Sequence, residues 1–192
     1  MRTGRIEDLD LDAEAVAAFA ELVHHLRHGR AGNPWCTWAV ASLDARMFLI
    51  GDARGQGQVA RFESVITRTA DGFAAACTAQ HYADGTKVGK DPRATLTILL
   101  ERGLPLEPSE NALQALRPEL LRRGMMMALL HPESPLRALT PGPEGYPYRI
   151  SHPFLTVRWA VPGDEVFVGI NPELAALLSA WLRSGKVNQE GA

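Results

Sequence analysis

Two histidines stand directly before prolines, His131 before Pro132 and His152 before Pro153. His131 closes the apolar run MMMALLH, so its ring is presented at the edge of the core, where an imidazole could ligate iron or shuttle protons. A packed, hydrogen-bonded histidine that ends a strand is the other reading. His152 stands beside the proline-rich connection 132–147 and the strand carrying Arg158, where several segments could build a pocket, which makes it the preferred ligand if iron is bound. An isolated buried guanidinium demands an anion or an acid. Arg158 could therefore clamp a substrate carboxylate through a bidentate contact, or pair with Asp164 or Glu165.

Cys36 could supply a thiolate ligand, or a nucleophile with His81 or His152 as its base, or merely a small buried hydrophobe beside Trp35 and Trp38. Cys77 reads as structural. With these two cysteines only, the chain offers neither a disulfide framework nor a four-thiolate metal site. Tyr146 and Tyr148 could orient polar groups at the pocket mouth, and Trp35, Trp38 and Trp159 could line it or complete a core. His24, His25 and His28 have no third neighbour of ligand type on one helix face and read as a polar surface. Met125, Met126 and Met127 alternate faces of a strand and read as core.

These residues must be held by identifiable elements. Residues 11–28 carry Leu11, Val16, Phe19, Leu22, Val23 and Leu26 at helical spacing, stopped by Gly29 and Gly32. Thr37 to Ala41 and Met47 to Gly51 read as a hairpin turning near Asp44. The segment 51–58 lacks the ordered glycines or the Lys-Ser/Thr ending of a nucleotide loop. Val59, Phe62, Val65 and Ile66 predict a helix, with Phe73 to Cys77 on a second piece after Gly72; branched residues at 65–69 leave strand as the alternative. Residues 81–92 read as a surface loop able to cover a cleft, and Ala94 to Leu100 as a buried strand. Ser109 with Asn111 opens a helix running to Arg123, which Pro118 should kink or divide. Strands are expected at 125–131, 154–161 and 164–170, and a helix capped by Asn171 and Pro172 runs through Leu182. The expected fold is α+β: one domain over 1–192, a mostly antiparallel sheet packed by helices.

Composition narrows the partners. The 192 residues are 46% hydrophobic and 22% charged, a balance that folds, and 20 basic against 22 acidic residues leave no basic surface for nucleic acid. No apolar run approaches the roughly 20 residues of a membrane span, and the acidic start is unlike a signal peptide, so a cytoplasmic protein is expected.

LLRRGMMMALLHPESP at 120–135 and YRISHPFLTVRWAVPGDEVF at 148–167 resemble the DUF6875 group of uncharacterised bacterial proteins. The matching features are Gly124 to Met127, His131 with Pro132, and Leu155 to Val161 with Asp164; with weaker similarity at ATLTILL and Pro34-Trp35-Cys36, about half the chain takes part. Pro34, Cys36, His152, Pro153 and Phe154 more loosely resemble the YqcI/YcgG-like proteins, some of which are haem-dependent oxygenases acting on guanidino or amino nitrogen. What this resemblance implies is a haem monooxygenase for a small amino acid or other nitrogen-containing metabolite. In that picture His152 holds the iron, and His131 is a second ligand or distal polar group. Arg158 clamps a substrate carboxylate or a haem propionate, and Trp159 and Tyr148 line the site. The rival readings are a non-catalytic metabolite-binding or pathway-partner protein, and a cofactor-free cysteine enzyme centred on Cys36. An apolar strip on 172–182 could pair two copies into a homodimer, or dock on its own sheet.

Overall fold

The computed structural model describes residues 3–4, 9–28, 37–55, 61–79, 88–133, 150–169 and 171–184. They form β1 (Thr3–Gly4), α1 (Ala13–His28), α2 (Thr37–Asp44), β2 (Phe48–Asp52), α3 (Phe62–Ala79), β3 (Thr95–Leu99), α4 (Leu106–Arg122), β4 (Met125–Leu130), β5 (Phe154–Trp159), α5 (Glu165–Val168) and α6 (Pro172–Arg183). The sheet order is β1-β2-β3-β5-β4. β2 and β3 are parallel, joined across α3, and every other neighbouring pair is antiparallel. This is the expected α+β arrangement of a sheet packed by helices.

The pleat sends alternate residues to opposite faces. Leu49, Leu96, Ile98, Met125, Met127, Leu129, Leu155, Val157 and Trp159 join one apolar cluster with α3, α4 and α6. Phe48, Ile50, Leu99, Leu130 and Phe154 join a second with α1 and α2. Helices thus cover both faces, which is why β3 is buried at all five positions. On α6, Leu174, Leu178 and Trp181 are buried in the first cluster, so the apolar strip docks on its own sheet. Trp181 is seated against Gly124, whose φ of +76° makes the turn from α4 into β4. A methyl group there would overlap the indole.

Several local expectations are corrected. Thr37 to Ala41 is the start of helix α2, because Ala39 and Ser42, three residues apart, turn one face inward. Residues 164–169 make a turn and the short helix α5: Asp164 accepts from the backbone N–H of Phe167, leaving Val166 and Phe167 exposed. Gly72 does not divide α3, which runs unbroken to Ala79. Pro118 does not divide α4, and that helix begins at Leu106, ahead of Ser109, whose hydroxyl donates to Pro105 O at 2.7 Å. Val16 points outward from α1, its core stripe being Ala15, Ala18, Phe19, Leu22 and Leu26.

Candidate functional site

The carboxyl ends of β2, β3 and β4 lie along one edge of the sheet, beside the chain entering β5. Charged side chains from four distant segments meet there. Asp12 caps α1, accepting from Ala15 N with Oδ1 at 2.8 Å, the ordinary use of an acid at a helix start. Its Oδ2 accepts from Arg54 Nη2 at 2.8 Å, and Glu14 Oε2 accepts from Arg54 Nη1 at 2.9 Å. Arg54 is held for this by Asp52 at the end of β2. The carboxylate takes the Arg54 backbone N–H at 2.9 Å and Nη2 at 2.6 Å, which raises the guanidinium pKa further above its usual value.

His152 is the buried member of the cluster. Its Nδ1 lies 2.8 Å from the exposed Ser151 hydroxyl, and that hydroxyl and the Ser151 backbone N–H both contact Glu21 Oε2 on α1. On the other side of the ring, Nε2 lies 2.9 Å from Arg102 Nε and 3.2 Å from Glu14 Oε1. One nitrogen cannot serve both. As a neutral ring with its proton on Nδ1, His152 accepts from Arg102; with a proton on Nε2, it donates to Glu14. The Glu14 carboxyl is held below its ordinary range, first by the hydrogen bond from His152 and then by the charges of Arg102 and Arg54. Asp12 is lowered too, first by the Ala15 N–H and then by Arg54. Glu101 closes the edge by accepting from Gly55 N at 2.6 Å. Carboxylates outnumber guanidiniums here, so the edge favours a cation.

The expected site residues do not all meet. His131 is near His152, since Leu130 pairs with Phe154, but it is buried with both ring nitrogens used. Nε2 contacts Leu104 O at 2.8 Å, and Nδ1 accepts from Glu133 N at 3.1 Å. Arg158 is at the other end of β5, roughly 15–20 Å along the chain from His152 at strand rise. Its Nη1 donates to Asp164 Oδ2 at 2.9 Å and to Trp159 O at 2.9 Å, and its Nη2 to Asp164 Oδ1 at 2.5 Å. Of its two expected acidic partners, Asp164 is the one engaged. Trp159 points to the opposite face, packed on Phe73 and Trp181, with its indole N–H on Gly89 O at 3.2 Å. Cys77 is buried, and burial pushes its thiol up to about 12.

Cys36, Tyr148, Tyr146, Trp35, His81 and most of the 132–147 connection lie outside the described residues. Among the described residues no group of three or more His, Cys, Asp or Glu could hold a metal. Arg158, six residues beyond His152 at the far end of β5, is taken up by Asp164 and the Trp159 carbonyl. Moreover, ligation by His152 Nε2 would require the contact with Arg102 to break.

Asp12, Glu14, Glu21, Arg54, Arg102 and Ser151 were not singled out by the sequence. One signal was present. Asp52-Ala53-Arg54 recurs as Asp91-Pro92-Arg93, and Arg93 folds on Asp91 in the same way, with Nη2 at 2.7 Å and the backbone N–H at 2.8 Å. The triplet alone is a weak signal, since in Asp44-Ala45-Arg46, just ahead of β2, Asp44 pairs with Arg27 instead. No helix among the described residues is long and apolar enough to cross a membrane. Compared with family models, curated proteins and solved structures, the chain matches none.

Proposed function

We propose that the protein binds a small, amino-acid-like metabolite at the carboxyl edge of its sheet, in the cytoplasm, with His152 as the group that exchanges a proton with it. The observation that carries this reading is the competition at His152 Nε2 between the Arg102 guanidinium and the Glu14 carboxylate. A buried imidazole with an acceptor and a donor at the same nitrogen has two hydrogen-bonded states that differ in whether that nitrogen carries the ring proton. The Ser151 hydroxyl on Nδ1, itself against Glu21, extends the path toward solvent.

The ligand class follows from the rim. Asp12 and Glu14 are at least half exposed and suit an ammonium or guanidino group. Arg102, about two-thirds exposed, uses Nε on His152 and turns Nη2 toward Glu14 at 3.4 Å, which leaves Nη1 for a carboxylate. A zwitterion satisfies both signs of charge at once.

Isothermal titration with amino acids and guanidino acids tests the reading. Each of His152→Ala, Glu14→Gln and Arg102→Ala should weaken binding about tenfold or more, the value of one charge-assisted hydrogen bond. Arg158→Met should leave the affinity unchanged. Affinity unchanged from the wild type in all three edge variants would defeat the proposal.

A further inference from the structure

A second group of side chains, His24 and His28, lies beyond Glu21 at the carboxyl end of α1 and takes no part in the His152 cluster. We propose that His24 and His28 form a two-imidazole chelate for a divalent ion of the copper, nickel and zinc class.

Residues four apart on a helix stand one above the other on one face. His24 and His28 do so here with their rings stacked, centroids 4.6 Å apart and planes inclined by 27°. The His28 ring is fixed by its Nδ1, which donates to the His24 carbonyl at 3.1 Å, so its Nε2 carries the lone pair. Both side chains are exposed. Two imidazoles on one tetrahedral ion hold their nitrogens about 3.3 Å apart at bonds of about 2.05 Å. His25 is drawn off this face toward Glu21 at 3.8 Å, and the nearby cation Arg27 is neutralised by Asp44 at 3.1 Å.

A closed structural site takes four protein ligands. An exposed chelate needs two, with water completing the shell. Imidazole suits copper, nickel and zinc, and the ordinary order of affinities places copper first.

The test uses the full chain, titrated calorimetrically with Ni(II) and with Cu(II), and a Cu(II) electron paramagnetic resonance spectrum. Expected are one ion per chain, nitrogen couplings from two imidazoles, and a Tm raised by Ni(II), because the ion binds the folded helix. His24→Ala and His28→Ala should each weaken binding at least about tenfold, since even losing a residue that merely orients a ligand costs that much. They should also reduce the spectrum to a single nitrogen, whereas His25→Ala should change neither. Circular dichroism of the variants confirms that α1 is retained; His24→Gln and His28→Gln, good helix formers, replace any alanine variant that loses it. Absence of binding in the wild-type chain, or binding that survives both single substitutions, would overturn the proposal.

Discussion

Replacing Asp164 by alanine decides whether Arg158 belongs to the architecture or to a ligand. Asp164 is almost completely buried, with side-chain exposure of 1% against 12% for Arg158, so the pair is largely out of water. The carboxylate receives two guanidinium hydrogen bonds and also accepts from Val161 N at 2.8 Å, holding the turn that follows β5. Its removal leaves Arg158 with the Trp159 carbonyl alone and strands the Val161 N–H. Breaking a buried ion pair from one side costs about 3–5 kcal/mol, because the remaining charge keeps its desolvation penalty and loses its partner. Against a total stability of about 5–15 kcal/mol that is a large fraction. In a chain of this length it corresponds to a Tm lowered by roughly 6–20 °C. Asp164→Asn should cost less, since an amide oxygen can still accept from Val161. The double variant Arg158→Met, Asp164→Leu should recover much of the loss by removing both charges. Urea unfolding followed by circular dichroism gives the comparison, with an unchanged m-value required for the free energies to be read directly. A cost below about 1 kcal/mol for Asp164→Ala would refute the reasoning, and would return Arg158 to the candidates for substrate binding.

Gly124→Ala should destabilise the fold by about 2–5 kcal/mol in the same assay, from left-handed strain together with the overlap on Trp181; a near-neutral result would mean that α6 can move away from the turn. Acid should weaken the carboxyl edge. Asp12 and Glu14 are lowered from ordinary values of 3.8 and 4.5, so the stability they supply is complete above those values and is lost as pH falls through the folded ones. Thermal melts from pH 6 to 2 should therefore fall less steeply for Glu14→Gln than for the wild type, and identical slopes would show that Glu14 is not tied to the fold. Haemin mixed with the protein should give no Soret change that depends on His131 or His152, because both use both ring nitrogens. A stoichiometric band abolished by His152→Ala would reinstate the haem reading.

Sequence and structure agree where a local pattern and the tertiary environment ask for the same thing. β3, β4 and β5 were legible because continuous or alternating apolar residues match a sheet covered on both faces, and α6 because Asn171 accepts from the N–H groups of Glu173 and Leu174 with Pro172 behind it. α2 was not legible, since eight residues hold too few turns for periodicity to separate helix from strand. What decides it is packing of Ala39 between α1 and the sheet, which is not a local property. α5 is one turn long, and its apolar Val166 and Phe167 face outward, so reading their hydrophobicity as burial gave a strand.

The site was harder to read than the fold for a related reason. Its histidines were visible by residue type, but a histidine's chemistry is set by what faces its two nitrogens. His131 and His152 look alike in sequence, each before a proline, and the fold gives them opposite conditions. The Leu104 carbonyl and the Glu133 N–H leave His131 one satisfied tautomer, with a donor at Nε2 and an acceptor at Nδ1. His152 instead receives Arg102 from a neighbouring loop and Glu14 from a helix 138 residues away, and they make opposing demands on one atom. Arg158 presents the converse case. It was visible as a buried cation, and its partner six residues on was a named alternative, yet only the turn after β5 brings Asp164 back to it. A satisfied buried pair has no further need of a ligand, whereas a nitrogen shared between a donor and an acceptor has a proton still to place. That difference is the reason the proposed site centres on His152 and not on His131 or Arg158.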